Sequence, residues 1–559
     1  MNIASLVLER ARSEPDAIAI RTPIGGGGSG ATRYAASTNA DLDRESDALA
    51  HGLATIGVTL GVRTALMVRP SVDLFAIMLA LFKLGAIPVV VDPGIGLRRI
   101  RRCLDEAEPE AFIGIPLAQA ARRALRWARP TLRIAITAGG PRFLPGTKLA
   151  DLRAQGRSAG AFPVVPREPE DEAAILFTSG STGPPKGVIY RHGNFAAQVE
   201  AIRGLGRIAK GEVDLPTFPP FALFDPALGM TAVIPDMDPT RPGEVDPLRI
   251  IDPAERFGAT NLFGSPALLD RVGRYGESHG TRLTTLKRVV SAGAPVSAAI
   301  MRRFLAMLPE DAEVLTPYGA TECLPVACIS SREVLAETAA RTDRGAGICV
   351  GRPVPSIDAR IIAIDDDPIP LWRPQLERPR GEIGEIVVRG PQATAAYYGR
   401  PEANALAKIS DPDGGFWHRM GDVGYLDSQG RLWYCGRKAD RVETGDATLH
   451  SIPCEAIFDT HPEVLRTALV GIPARDHARP VLCIELLPGI PRRARTRIEA
   501  ELRDLASRHA HTRSIDHFLF HRAFPVDIRH NAKIGRPELA RWAAQKLRGR
   551  GLGPSGGRA

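Results

Sequence analysis

Cysteine is scarce in this chain, with seven residues among 559. Their number is odd, they are widely spread, and no two of them form a C-x-x-C pair. This pattern argues against a disulfide framework or a zinc site and is typical of a reducing compartment, so we expect a cytoplasmic protein. The first twelve residues include Glu9 and no long apolar core, so they do not predict a signal peptide.

Long apolar runs are lacking as well. The most apolar stretch, residues 74–91, is interrupted by Lys83, Gly85 and Pro88. It predicts a buried helix followed by a strand rather than a membrane span, which needs about 20 apolar residues in a row. The composition, with 44% apolar and 24% charged residues, is that of a globular protein, and the length of 559 residues predicts two or more domains.

The charge balance is basic, with 72 Lys and Arg against 63 Asp and Glu and a formal net charge of +9. Much of the excess is arginine scattered along the chain, with local clusters at 98–102 and 122–133 and in the tail at 546–558. No nucleic-acid-binding motif accompanies this charge. We therefore expect no nucleic-acid partner and at most a peripheral association with an anionic membrane.

The first 170 residues alternate between helix and strand patterns. Residues 63–68 predict a strand, 72–84 a helix, and 86–91 a second strand that ends at the turn 92–94. Strand–helix–strand alternation predicts a parallel sheet with helices on its faces, and hence the α/β class. Residues 441–559 predict a smaller α+β unit, with a strand at 467–472 and an amphipathic helix around 498–505.

A loop rich in glycine and hydroxyl groups follows the apolar strand at 173–177. It contains the residues Thr178, Ser179, Gly180, Ser181, Thr182, Gly183 and Lys186. Glycine lets backbone N–H groups approach an anion, hydroxyls add donors, and a lysine adds a charge suited to phosphate. No G-x-x-x-x-G-K-[ST] pattern fits, so this is not a Walker loop. From composition alone, a polyphosphate cradle and a flexible surface loop both stay open.

The order of these residues, T-S-G-S-T-G-P-P-K-G-V at 178–188, resembles the phosphate loop of the adenylate-forming (AMP-binding) superfamily. Acyl-CoA synthetases, peptide-synthetase adenylation domains and luciferases belong to that superfamily. Five further segments are similar to its motifs: S-A-G-A-P-V at 291–296, Y-G-A-T-E at 318–322, M-G-D at 420–422, G-R-K-A-D at 436–440 and N-A-K-I-G-R at 531–536. Together they extend the resemblance over essentially the whole chain.

The resemblance implies an architecture. It implies a large, multi-layer N-terminal domain with mostly parallel sheets, followed by a small mobile α+β C-terminal domain. The matching segments place the N-terminal AMP-binding domain at 1–437, the hinge at 438–440, and the C-terminal domain with the catalytic lysine at 441–559.

The resemblance also implies ATP and Mg²⁺ as cofactors, and it gives each matching residue a role. The phosphate loop with Thr182 and Lys186 would bind the phosphates and take part in catalysis, and Thr321 would reach a phosphate oxygen. The adenine would be lined by Gly293, Ala294, Pro295, Tyr318 and Gly319, and the ribose would be contacted by Asp422 and Arg437. Glu322 would hold Mg²⁺, and Lys533 would be the catalytic cation. An oxygen ligand such as Glu322 suits Mg²⁺, which is a hard ion.

The implied chemistry has two halves. A substrate carboxylate displaces pyrophosphate from ATP, and a second nucleophile then displaces AMP from the acyl-adenylate. Three nucleophiles stay open, namely the CoA thiol, a carrier thiol, for which no carrier domain is evident, and a hydroxyl within the substrate. The family's G-G-E block, which helps to shape the thioester-forming state, reads Gly445-Asp446-Ala447 here, and this departure agrees with a reaction that does not use CoA.

The run at 218–237 resembles the β-lactone-forming branch of bacterial long-chain olefin biosynthesis. In that branch a long-chain 2-alkyl-3-hydroxy fatty acid is adenylated and its own β-hydroxyl closes the ring. The branch also implies condensing, reducing and β-lactone-decarboxylating enzymes as partners. Ala222 stands where the family often has His, which leaves more room beside the acyl pocket, and the prolines at 216, 219 and 220 predict no regular helix there.

Other functions stay open at this point. A long-chain acyl-CoA synthetase would make a CoA thioester. A P-loop-type ATPase or kinase would release ADP rather than AMP. A basic protein that binds membranes or nucleic acid would show salt-dependent binding without ATP turnover.

Overall fold

The computed structural model describes residues 1–24, 32–141, 146–177, 184–474, 477–526 and 534–548. The strands within these ranges are β1 (Ile18–Pro23), β2 (Tyr34–Thr38), β3 (Arg63–Met67), β4 (Ile87–Val91), β5 (Ala111–Gly114), β6 (Ile134–Thr137), β7 (Thr147–Lys148), β8 (Glu172–Phe177), β9 (Gly187–Arg191), β10 (Val213–Pro216), β11 (Thr231–Val233), β12 (Asn261–Phe263), β13 (Arg288–Val290), β14 (Glu313–Ala320), β15 (Cys323–Ser330), β16 (Ile348–Pro353), β17 (Asp358–Ile362), β18 (Gly384–Arg389), β19 (Lys408–Ser410), β20 (Phe416–Leu426), β21 (Leu432–Arg437), β22 (Val442–Glu443), β23 (Thr448–Leu449), β24 (Val464–Pro473), β25 (Ala478–Leu486) and β26 (His517–His521).

The α-helices in the same ranges are α1 (Ala4–Ser13), α2 (Asn39–Thr55), α3 (Val72–Leu84), α4 (Leu97–Ala107), α5 (Pro116–Leu125), α6 (Leu149–Gly156), α7 (His192–Gly206), α8 (Pro219–Ala222), α9 (Asp225–Leu228), α10 (Leu248–Arg256), α11 (Pro266–His279), α12 (Ala298–Leu305), α13 (Ser331–Glu333), α14 (Ala339–Thr342), α15 (Pro401–Ala407), α16 (Ser451–Phe458), α17 (Arg495–Ser507) and α18 (Arg536–Arg548). Short 3₁₀ turns lie at Pro93–Ile95, Pro242–Glu244, Pro374–Leu376, Lys438–Asp440 and Arg492–Ala494, and a π turn lies at Val334–Thr338.

The first of the two large sheets has seven strands among the described residues, in the order β7-β6-β5-β3-β4-β8-β9. All its pairs are parallel except β8 with β9. The predicted helix at 72–84 is α3, and it ends where Gly85 adopts a left-handed φ of 66°, a conformation that glycine takes without steric cost. The strands predicted at 63–68 and 86–91 are β3 and β4, so the α/β prediction is confirmed for this region.

Helix α3 is buried although Lys83 interrupts its apolar sequence, because the lysine is paired with carboxylates. The Lys83 side chain is only 1% exposed, and Nζ lies 2.5 Å from carboxylate oxygens of both Asp43 and Asp47 on α2. Helix α3 therefore packs against α2 through apolar contacts and one buried ionic cluster.

We expect Lys83→Ala to lower the free energy of unfolding by about 3 kcal/mol, because it leaves Asp47 in the interior without a counter-charge. Lys210→Ala is the matched control, since the side chain of Lys210 is 76% exposed. Its Nζ lies 4.0 Å from Glu14 Oε1, which is a long distance for an ion pair. Thermal and urea unfolding of both variants would measure the difference. Equal midpoints for the two would show that the buried cluster contributes nothing to stability.

The second large sheet is mixed. Its main path over the described residues runs β17-β18-β20-β21-β16-β15-β14-β13-β12-β10-β11-β1-β2, and β19 joins it by pairing with β20. The strands from β14 to β1 pair in parallel, whereas those from β14 to β17 pair antiparallel. The family resemblance implied mostly parallel sheets, and the antiparallel part adds the strands that carry most of the candidate site.

Residues beyond β21 form a smaller α+β unit. The sheet β24-β25-β26 packs against α16 and α17 on one side and α18 on the other, and β22 and β23 form a separate hairpin. The strand predicted at 467–472 is part of β24, and the predicted helix is α17. The turn Lys438–Asp440 joins β21 to this unit. The exact division at 437 and 441 stays a prediction.

One local prediction is wrong. The prolines around position 219 were expected to prevent a regular helix, but α8 and α9 are each one turn of helix. Pro219, Pro220 and Pro226 occupy the first positions of these turns, where the backbone N–H has no intrahelical partner and proline is therefore tolerated. Within the described part of the chain, no helix combines the length and apolarity that crossing a bilayer requires.

Candidate active site

Four of the predicted site residues lie on three strands of the antiparallel part of the mixed sheet. Tyr318 and Gly319 belong to β14, Asp422 to β20, and Arg437 ends β21. Asp422 and Arg437 are directly opposite each other in the antiparallel pair. Gly319 has a structural reason of its own, because a Cβ at that position would lie 2.7 Å from the carbonyl oxygen of Cys323 on β15.

Asp422 lies at the centre of this group of residues and is buried, with 3% of the residue exposed. The Tyr318 hydroxyl donates to Asp422 Oδ2 at 2.5 Å, and Arg437 Nη1 lies 2.9 Å from Oδ1. The arginine contact has the distance of an ion pair but no hydrogen-bond alignment, so Oδ1 keeps an open acceptor site. Burial raises the pKa of the Asp422 carboxyl, and the charge of Arg437 opposes that shift.

Glu322 lies in the turn between β14 and β15 and is held at two points. Tyr397 Oη donates to Glu322 Oε1 at 2.8 Å. The N–H and the hydroxyl of Thr394 both donate to the Glu322 carbonyl oxygen, at 2.8 and 3.1 Å. Among the described residues no lysine, arginine or histidine forms an ion pair with Glu322, so the rest of its carboxylate is free to bind a ligand. The neighbouring Thr321 is fixed through its carbonyl, which accepts from Tyr190 Oη at 2.6 Å.

Lys186 lies close to the same tyrosine. It is half-buried, and its Nζ is 4.7 Å from the centre of the Tyr397 ring, a cation–π contact. Tyr397 is buried, and burial followed by the charge of Glu322 raises the pKa of its hydroxyl far above the ordinary value. The Tyr397 hydroxyl therefore stays protonated and acts as a hydrogen-bond donor. Tyr397 links Lys186, which lies over its ring, to Glu322. The sequence analysis did not find Tyr397, because a lone tyrosine after a strand signal carries no chemical pattern.

A second lysine, Lys408, approaches this cluster from β19. Its Nζ donates to the Thr394 carbonyl and lies 3.1 Å from His418 Nδ1. Burial lowers the pKa of Lys408 to about 7, and the nearby Glu322 opposes that shift. Burial, and then the charge of Lys408, hold the pKa of His418 well below its ordinary value, so His418 is neutral. The sequence contained no sign of this, because a single lysine usually marks a solvated surface.

The loop after β13 holds Gly293, Ala294 and Pro295 at the surface beside the carboxyl end of the parallel strands. Gly293 and Pro295 are exposed and Ala294 is half-buried. Nothing in the described contacts binds their side chains elsewhere. Their predicted place along the adenine stays a prediction.

Several predicted residues lie outside the described ranges. These are Thr178, Ser179, Gly180, Ser181, Thr182, Gly183 and Lys533. Arg536, three positions after Lys533, is described, and its side chain is 12% exposed. Its guanidinium pairs with Glu455 on α16, with Nη2 2.9 Å from Oε2, and Nε lies 3.3 Å from Asp440 of the turn at 438–440.

Comparison with known proteins agrees with this geometry. The profile of the AMP-binding enzyme family matches residues 7–398. An olefin beta-lactone synthetase from Xanthomonas campestris pv. campestris is 52% identical over 550 residues, which cover 98% of this chain and 98% of that protein. One from Stenotrophomonas maltophilia is 52% identical over 552 residues, again with 98% of each chain covered.

The fold is also that of a solved relative. The structure of ATP-bound MatB from Rhodopseudomonas palustris has a TM-score of 0.77 at 23% identity and covers 97% of this chain and 99% of that one. The mixed sheet, the smaller C-terminal unit and the grouped motif residues define an adenylate-forming enzyme. The chain belongs to the AMP-binding enzyme family.

Proposed function

We propose that this protein is an ATP-dependent β-lactone synthetase of long-chain olefin biosynthesis. Its substrate would be a long-chain 2-alkyl-3-hydroxy fatty acid, and its products a β-lactone, AMP and pyrophosphate. The observation that carries the proposal is the 52% identity to olefin beta-lactone synthetases over 98% of the chain. Because the alignments cover 98% of the chain, they include the regions that would contact the substrate as well as the core.

In the first half-reaction a carboxylate oxygen of the acid bonds to the α-phosphorus of ATP. The bond from that phosphorus to the oxygen leading to the β-phosphate breaks, and pyrophosphate leaves with the electron pair. The developing negative charge requires fixed cations and donors rather than a protein nucleophile. Lys186, the phosphate loop at 178–183 and Lys533 would supply them.

The donor set of the site fits ATP and Mg²⁺. Asp422 Oδ1 is buried beside Arg437 without an aligned hydrogen bond, which suits a ribose hydroxyl. The Glu322 carboxylate accepts one hydrogen bond, from Tyr397, and its other oxygen is a hard ligand of the kind Mg²⁺ prefers. Bound there and shared with the phosphates, Mg²⁺ would neutralise charge on the leaving pyrophosphate.

In the second half-reaction the β-hydroxyl oxygen attacks the acyl carbon of the adenylate. The carbon–oxygen bond to AMP breaks, and the hydroxyl proton is released. Nucleophile and acyl carbon belong to one molecule, so the effective concentration is high, which helps to offset the strain of a four-membered ring. We propose that the unit beyond residue 440 rotates between the halves about the turn at 438–440, with Arg536 and Asp440 moving together.

The remaining predictions about context extend this proposal. The acid would come from a condensing and a reducing enzyme, and the lactone would pass to a decarboxylating enzyme, so these are the proposed partners. The cytoplasmic location and the absence of more than peripheral membrane association stay predictions. A long-chain acyl-CoA synthetase is the alternative that an experiment must separate, because it shares the first half-reaction.

Product analysis by mass spectrometry tests the proposal. Protein, ATP, Mg²⁺ and a long-chain 2-alkyl-3-hydroxy acid are incubated with and without CoA, alongside the Lys533→Ala variant. We expect AMP and the dehydrated acid, with and without CoA, and a loss of both products in the variant. A thioester that forms only with CoA would favour the alternative. ADP as product, or no ATP cleavage with any acid, would contradict adenylation itself.

A further inference from the structure

Lys408 is a partly buried cation for which the proposed reaction has no assigned use. It is directly opposite His418 in the pair of β19 and β20. Its Nζ lies 4.9 Å from the ring centre of Phe416 and 6.0 Å from that of Tyr397. Among the described residues no carboxylate is within ion-pair distance of Nζ. An ammonium group so placed is costly unless its position serves a neighbour.

The contacts of Lys408 lead to Glu322. Nζ donates to the carbonyl of Thr394, whose own N–H and hydroxyl hold the Glu322 carbonyl oxygen. Three residues further on, Tyr397 donates to the Glu322 carboxylate. The segment 394–397 therefore forms hydrogen bonds with both the main chain and the side chain of Glu322. Lys408 anchors this segment through its hydrogen bond to the Thr394 carbonyl.

His418 contacts Lys408, and Asn404 contacts the far end of the segment 394–397. His418 Nδ1 is 3.1 Å from Lys408 Nζ and 3.2 Å from the Ala407 carbonyl oxygen. Asn404 accepts from the N–H of Tyr397 at 2.7 Å, which keeps the far end of the segment in register. Neither side chain carries a negative charge that would form an ion pair with Lys408.

We propose that Lys408 is a positioning residue for Glu322: it fixes the segment 394–397 so that the Glu322 carboxylate is presented to Mg²⁺·ATP. This inference rests on the proposed metal-binding role of Glu322. Lys408 touches neither the metal nor the nucleotide. Its effect is transmitted through Thr394 and Tyr397.

The test measures the Mg²⁺ concentration for half-maximal ATP–pyrophosphate exchange, together with binding of Mg²⁺ and a non-hydrolysable ATP analogue by calorimetry. Lys408→Met keeps the length of the side chain and removes its charge and donors. We expect its half-saturating Mg²⁺ concentration to rise about 10-fold, the size typical of residues that orient a metal ligand. Lys408→Gln keeps a donor for the Thr394 carbonyl and is expected to lie between Lys408→Met and the wild type.

Lys287→Met is the matched control, because the Lys287 side chain is 61% exposed and its Nζ lies 4.0 Å from Glu212, which has no part in the proposed site. Glu322→Gln separates the two proposals. If Glu322→Gln raises the Mg²⁺ requirement and Lys408→Met does not, the inference on Lys408 is overturned. If Glu322→Gln leaves it unchanged, the proposed metal site itself fails.

A purely structural role for Lys408 would lower the thermal midpoint without changing the Mg²⁺ requirement or the binding constant, and that outcome would overturn the proposal. If Lys408→Met does not fold, Lys408→Gln carries the test alone. Wild-type Mg²⁺ dependence in Lys408→Gln would then count against the proposal.

Discussion

Glu322→Gln is expected to reduce the rate of adenylation by about 100-fold or more, because it removes the charge that would hold Mg²⁺ against the leaving phosphates. The amide keeps the shape of the side chain, and Tyr397 can still donate to its oxygen. Folding should therefore be retained. ATP–pyrophosphate exchange, measured over a range of Mg²⁺ concentrations, separates a lower maximal rate from weaker metal binding.

Glu313→Gln provides the control for this change. Glu313 begins the same strand, β14, is half-buried, and has no ion pair among the described residues. We expect it to keep the wild-type exchange rate. A Glu322→Gln enzyme with a rate within a few-fold of Glu313→Gln would show that the carboxylate of Glu322 is not required for the reaction.

Asp422→Asn is expected to weaken the use of ATP by about 100-fold in kcat/KM, because a hydrogen bond to a charged group contributes about 1.5–3 kcal/mol and the upper end of that range corresponds to about 100-fold. Most of the loss should appear in the KM for ATP if the ribose is held equally before and during the reaction. The variant also leaves Arg437 without its buried counter-charge, so we expect lower stability as well.

A comparison of ATP with 2′,3′-dideoxy-ATP separates these two effects. The wild-type enzyme should prefer ATP strongly, whereas Asp422→Asn should accept both nucleotides almost equally. Asp427→Asn is the control, because Asp427 is buried just beyond β20 and pairs with Arg431 and Trp433 rather than with a ligand. It should lose stability and keep its ribose preference. An unchanged preference in Asp422→Asn would rule out the ribose contact.

The motif residues were accessible to sequence reasoning because each is tied to a local backbone pattern. A strand followed by glycines and hydroxyls is compatible with an anion loop, the order of those residues resembles the family's phosphate loop, and β8 does end at Phe177, directly before Thr178. Helix α3 and strands β3 and β4 were predicted for the same reason, since a period of hydrophobic residues reflects contacts within a few turns. The one-turn helices α8 and α9 were missed because proline was judged only as a helix breaker.

Residues without a motif could not be found in this way. Tyr397, Thr394 and Lys408 lie 72 to 86 positions beyond Glu322, and they are linked to it only because the segment between β18 and α15 returns to the turn between β14 and β15. The antiparallel half of the mixed sheet was not predicted for a similar reason. One of its pairs, β16 with β21, joins strands that are distant in the sequence, with Ile348 opposite Tyr434, and no local pattern specifies that neighbour.

The sequence by itself determined the α/β class, the family of the chain, and the residue types offered to a nucleotide, because these depend on local periodicity and on the order of residues within short motifs. Only the tertiary structure decided how those residues are held. It showed that Asp422 is a buried acceptor between Tyr318 and Arg437, and that Tyr397 joins Glu322 to Lys186. The physical reason is that burial, hydrogen-bond alignment and charge compensation arise only when strands far apart in the chain are packed together.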